Sequence, residues 1–159
     1  MGGGTADCVL CRGADGDPEL DRIEVWRDDL WRLTVSLGSE VPGFAYLEPH
    51  RHIPHITDLD GPEAAALGAV LARTTSALRT VTGAELVYIY VFGGGVPHLH
   101  LHLAPHRTGD ALNTQLIRGE VKEEHLPSGA GRIRSREFPP LPEAELRAVA
   151  DRVRKLLAD

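Results

Sequence analysis

Short runs that alternate apolar and polar residues fill the first half of the chain, and two longer runs carry the helical period. Arg22-Ile-Glu-Val-Trp-Arg27 alternates as a strand does, Asp28-Asp29 supplies a turn, and Leu30 to Leu37 reads as the hairpin partner. Gly43 to Leu47 predicts a third strand, stopped by Glu48-Pro49. A helix is predicted from Pro62 to about Thr82, with Leu67, Val70, Leu71 and Leu78 at helical spacing. Asp58 and Asp60 are its candidate caps, and Gly83 is its stop. Glu85 to Phe92 is dense in Val, Ile and Tyr, as a buried strand is, and Gly93-Gly94-Gly95 breaks it. Residues 1–7 read as a flexible N-terminus, and residues 107–140 as a loop-rich extension. A final amphipathic helix, about Pro142 to Leu157, carries Leu146, Val149, Val153, Leu156 and Leu157 on one face. This order predicts an α+β fold, one antiparallel sheet with helices packed on it, as a single domain over residues 1–159.

Pro97-His-Leu-His-Leu-His-Leu-Ala-Pro-His106 changes that picture from architecture to chemistry. Side chains alternate faces along a strand, so the leucines can anchor a core while His98, His100 and His102 line a cleft. Three imidazoles on one face need polar partners and repel one another when protonated, which a merely structural strand has no reason to accept. Seven of the eight histidines fall in two clusters, the second being His50, His52 and His55, with His125 alone.

Composition narrows the setting. A chain of 159 residues with a net charge of -6 has room for one hydrophobic core and no basic footprint for nucleic acid or an anionic membrane. No apolar run is long enough to span a bilayer, and the start lacks a signal-peptide pattern, so a cytoplasmic location is expected. Cys8 and Cys11 are the only cysteines. Their spacing fits a chance pair of reduced thiols, a redox pair, or half of a tetrahedral zinc site. The turn chemistry of Arg12 to Pro18 disfavours the redox reading, which wants a helix there. The zinc reading needs histidines from elsewhere.

His98 through Ala104 matches His-φ-His-φ-His-φ-φ, with φ apolar, and Pro49 to Ile53 reads Pro-x-x-His-Ile. With the leading Cys-x-x-Cys, a strand pair and a helix in order, the chain resembles the histidine triad (HIT) superfamily, in its zinc-binding branch. The resemblance implies a HIT-like fold, usually a homodimer, acting as a nucleotide hydrolase or nucleotidyl transferase on a phosphoramidate or phosphoanhydride bond. It implies that His100 attacks phosphorus to form a covalent nucleotidyl-histidine, and that His102 assists. It also implies a structural zinc ion on Cys8, Cys11, His52 and His98, with His50 or His55 competing for the third place.

The match also has departures. The loop before the triad is only Gly93-Gly94-Gly95-Val96-Pro97, without the family's usual phosphate-holding side chains. Its glycines could offer backbone N–H groups to a phosphate, or could simply make a tight turn. The acidic residue that usually contacts ribose near the end of the second strand is missing, with Thr34 to Leu37 in its place. Asn113 and Gln115 could close over a phosphate, or lie in a solvated connection. Arg132, Arg134 and Arg136 alternate at strand spacing, as an exposed face does. These departures leave three other readings open: an enzyme on a non-nucleotide phosphoryl or acyl substrate, a catalytically inactive nucleotide-binding protein, and a catalytic metal held by His98, His100 and His102.

Overall fold

The computed structural model describes residues 5–110, 112 and 120–159. Five strands form one antiparallel sheet: β1 (Arg22–Arg27), β2 (Trp31–Ser36), β3 (Ala45–Pro49), β4 (Leu86–Tyr90) and β5 (Leu101–His106), in the order β1-β2-β3-β5-β4. The β1–β2 turn is closed by Asp28, whose carboxylate accepts from the Leu30 and Trp31 amides at 2.8 and 2.7 Å. Helices α1 (Gly61–Thr82) and α2 (Glu143–Ala158) pack on one face of the sheet. That face carries Leu33 and Val35 of β2, Ala45 and Leu47 of β3, and Leu101 and Leu103 of β5, with Leu99 just before it. Val70 and Leu78 of α1 and Val149, Val153 and Leu157 of α2 cover them. Fully burying each such side chain contributes roughly 1.5–3 kcal/mol, which is why the apolar stripes dominate the docking of both helices.

Two helix details differ from the sequence pattern. Gly83 does terminate α1, at φ +70°, but Asp60 makes no cap hydrogen bond from its N-cap position. Its carboxylate instead takes Arg51 at 2.6 Å, while Asp58 accepts from the His55 amide at the preceding short turn. Leu156, expected on the buried stripe of α2, is 42% exposed.

The opposite face of the sheet is polar. Arg32 of β2, Tyr46 and Glu48 of β3 and His102 of β5 alternate with the core positions. Above this face stands a separate hairpin, β6 (Val121–His125) with β7 (Gly131–Ser135), inside the segment expected to be loops. Its strands show almost no apolar alternation, since charged cross-strand neighbours, Glu124 with Arg132 at 2.9 Å, support them instead. Leu126 and Ala130 at its turn pack with Cys8, Val9, Leu10 and Val96 in a second small core.

Candidate functional site

The N-terminal turns bring Cys8 and Cys11 to His52, which follows β3, and to His98, which precedes β5. Gly16 permits this turn, because a Cβ there would stand 2.2 Å from the Val9 carbonyl oxygen. Cys8 Sγ lies 3.5 Å and Cys11 Sγ 3.4 Å from His98 Nδ1, and Cys11 Sγ lies 3.3 Å from His52 Nδ1. All four ligand atoms fall within 4.8 Å of one another. Tetrahedral coordination at ordinary zinc bond lengths has edges of roughly 3.3–3.8 Å, so the spacing fits such an ion. His98 Nε2 donates to the Pro49 carbonyl at 2.8 Å, which fixes the tautomer and aims the Nδ1 lone pair at the sulfurs. Burial pushes the Cys11 thiol up to about 12, with Cys8 and then Glu48 adding to it. A bound cation reverses that preference by displacing the protons. These four residues are placed to bind a metal ion.

His50 and His55 lie outside this cluster. His50 Nε2 donates to the Asp28 carbonyl at 2.8 Å, and His55 caps the short turn at Ile56–Asp58. The three triad rings likewise do not converge on one ion. Among the described residues the metal-competent cluster is Cys8, Cys11, His52 and His98, without His100 or His102.

Beyond His98 the chain enters β5, and alternation turns His100 and His102 into a cleft of about 550 Å³ on the polar face. The strand itself begins at Leu101, so His98 and His100 sit in the extended lead-in, tied by Leu99 N–H to the Ile53 carbonyl at 2.7 Å. His100 Nδ1 donates to the His98 carbonyl at 2.7 Å. A carbonyl can only accept, so in the neutral ring Nε2 carries the lone pair. Burial holds the His100 imidazole below its ordinary value, outweighing that hydrogen bond and the Glu48 charge. His102 stacks on Tyr90 at 5.1 Å and meets Tyr46 and Phe92 edge-on at 5.2 and 5.3 Å. Gly93, Gly94 and Gly95 line the same cleft, Gly93 at φ +76°.

The HIT domain profile matches residues 17–109. This chain belongs to the HIT domain family. An uncharacterised HIT-like protein of Mycobacterium tuberculosis, Rv1262c, is 28% identical over 67% of this chain and 76% of its own length. The bifunctional bis(5'-adenosyl)-triphosphatase/adenylylsulfatase FHIT of Arabidopsis thaliana is 30% identical over 61% of this chain and 57% of its own. Among solved structures, a Zn-bound histidine triad family protein from Mycobacterium smegmatis superposes with a TM-score of 0.64. That match covers 98% of this chain and 99% of the other at 22% identity. The HIT fold is therefore established, and some of the family's members are hydrolases.

Set against the HIT pattern, this chain builds its cleft with parts the triad motif does not contain. Val121, Glu123, Gly131 and Ile133 of the hairpin form part of the wall. A Pro127-Ser-Gly129 turn between Val121-x-Glu123 and Gly131-x-Ile133 was the available signal for them, but charge masked the strand period. Gly95 and Gly131 let the hairpin dock, with Gly131 N–H donating to the Gly95 carbonyl at 2.9 Å. Arg132 and Arg134 face Asp21 at 2.7 Å each, so they form a clamp rather than a free surface. Beneath the cleft, Arg22 makes paired bonds to Glu48 at 2.9 Å and one to Asp17 at 2.8 Å, and Arg32 bonds both carboxylates. Arg22 lines the cleft and lies 5.9 Å over the Tyr46 ring, with three of its N–H groups committed to these carboxylates. Asn113 and Gln115 lie outside the described residues.

Proposed function

We propose that this HIT protein is a hydrolase or nucleotidyl transferase that cleaves a phosphoramidate or phosphoanhydride bond through a nucleotidyl-histidine. His100 Nε2 donates its lone pair to phosphorus, the bond to the leaving group breaks, and His102 supplies a proton to it. Water or another acceptor then attacks the same phosphorus, breaks the P–N bond and returns a neutral imidazole. The observation that carries this reading is the hydrogen bond from His100 Nδ1 to the His98 carbonyl, which leaves Nε2 unprotonated on the cleft side. The depressed His100 basicity keeps that ring neutral at physiological pH. Backbone N–H groups of Gly93, Gly94 and Gly95 are proposed phosphate donors, and Asn113 and Gln115 are proposed to close on the substrate.

The metal is proposed to be zinc, bound by Cys8, Cys11, His52 and His98. Four protein ligands leave no open position, so its role is to tie the N-terminus to the triad segment. Intact-protein mass spectrometry after brief incubation with nucleoside phosphoramidates and dinucleoside polyphosphates tests the covalent step. A nucleotidyl adduct on wild type that is absent from His100→Ala is expected, with turnover reduced on the order of a thousandfold or more. Full turnover by His100→Ala would falsify the mechanism.

A second reading, a non-nucleotide phosphoryl substrate on the same histidines, draws support from the end of β2. There Arg134 covers Gly38, donating to its carbonyl at 3.3 Å, and the space beside Ser36 is reduced to about 40 Å³. A homodimer is proposed through β4, an outer strand of the sheet whose Leu86 and Ile89 are 55% and 46% exposed. No helix among the described residues is long and apolar enough to cross a membrane, and a cytoplasmic location remains part of the proposal.

A further inference from the structure

The β6–β7 hairpin has two unlike faces. Glu124, Arg132 and Arg134 share one, where both arginines hold Asp21 and Glu124 and Arg132 also borders the cleft. Val121, Glu123 and Ile133 share the other and line the cleft that holds His100. Among the described residues Glu123 is the one carboxylate in that lining. It forms no hydrogen bond or ion pair with them. Gly131 makes room for it, since a Cβ on Gly131 would stand 2.7 Å from Glu123 Oε1.

The cleft around this carboxylate is lined by apolar residues together with Arg22 and Arg132, whose guanidinium groups are paired with Asp17, Glu48, Asp21 and Glu124. Val121, Ile133 and Phe92 are 37%, 39% and 46% exposed, an unusual density of open hydrophobic surface for one cleft. A ligand that covers them also strips water from Glu123, and an ionised carboxylate loses that hydration favourably only if the ligand returns hydrogen-bond donors. A phosphate placed against it would be repelled, so the carboxylate also selects against an anionic chain in that direction.

We propose that Glu123 is the specificity residue of this site, accepting hydrogen bonds from a donor-bearing group on a phosphorylated substrate. The ribose diol of a nucleotide and an ammonium on the leaving group both present that chemistry. The proposal rests on the reading of the cleft as a nucleotide site, and the test separates the two.

Calorimetric titration of the zinc-loaded full chain uses four ligands in two pairs. AMP is compared with dideoxy-AMP, which lacks both ribose hydroxyls, and the aminopropyl ester of AMP with its propyl ester. Glu123→Gln keeps the side-chain size and removes the charge. It is expected to weaken the donor-bearing member of one pair by roughly tenfold or more, leaving its partner within about twofold. An effect on AMP assigns the ribose, and one on the aminopropyl ester alone assigns the ammonium. Glu124→Gln on the arginine-bearing face serves as the comparison, because loosening the hairpin lowers all four affinities together. The same uniform change in Glu123→Gln, or no change, overturns the assignment while leaving the nucleotide site standing. Failure of wild type to bind any of the four overturns both.

Discussion

Glu48 illustrates how much of this site rests on single buried groups. It is fully buried on the polar face of the sheet and receives Arg22 and Arg32, while its charge also bears on Cys11, His98 and His100. Glu48→Gln leaves two buried guanidinium groups short of one counter-charge, and removing one partner of such a set costs about 3–5 kcal/mol. Denaturant melts of the metal-loaded protein are expected to show that loss. At the metal cluster, Cys11→Ser is expected to abolish stoichiometric zinc and to lower the melting temperature, and a chelator is expected to do the same to wild type. Metal analysis and a thermal melt check both. Metal uptake by the wild-type apoprotein at neutral pH should release protons, because ligand thiols must become thiolates. Titrations in buffers of different ionisation enthalpy measure that release.

Elements bring these residues together, and the hairpin is the one that the chain pattern concealed. A Cβ on Gly95 would stand 2.7 Å from the Gly131 carbonyl oxygen, with backbone on both sides and no flexible tip to yield. Gly95→Ala is expected to displace β6–β7 at a cost of about 1–3 kcal/mol. Amide exchange should rise across the hairpin and stay unchanged in β4 and β5. Acid is expected to loosen the hairpin itself. Hydrogen bonds from Arg132 first, then from Lys122 and Arg134, hold Glu124 at about 2, below its ordinary 4.5. A depressed carboxylate stabilises the fold fully above its unfolded value and loses that contribution as the pH falls through the folded one. Exchange protection of β6–β7 is therefore expected to decline between about pH 4.5 and about 2. β1, β2 and β5, by contrast, were legible before folding, because their apolar residues alternate with polar ones over a packed face. β4 was expected as a buried strand, but it lies at the sheet edge with Leu86 and Ile89 exposed.

For the whole molecule, the distribution of exposed apolar surface separates two uses. Phe92, Val121 and Ile133 gather in the cleft, whereas Leu86 and Ile89 lie on β4 at the sheet edge. The first set answers to the proposed ligand and the second to the proposed partner copy. Replacing Leu86 and Ile89 together by Lys is expected to yield a monomer in sedimentation velocity, with the metal still bound. A dimer that survives this change would remove β4 from the interface.

Sequence alone determined what depends on neighbours along the chain. Period-two alternation placed the leucines of the triad segment in the core and the histidines on the other face, and the spacing of Cys8 and Cys11 made them candidates for half of a metal site. Tertiary structure decided what depends on distant groups. It brought His52, the position already marked by Pro-x-x-His-Ile, to the two thiols and gave its competitors His50 and His55 other partners. It set the His98 and His100 tautomers through carbonyls of Pro49 and His98, whose approach no spacing specifies. It also put Glu123 in the cleft, because the hairpin is held by contacts such as Asp21 with Arg134 and Gly95 with Gly131. Those contacts form only when the chain returns over the sheet, and they leave no local pattern in the residues that make them.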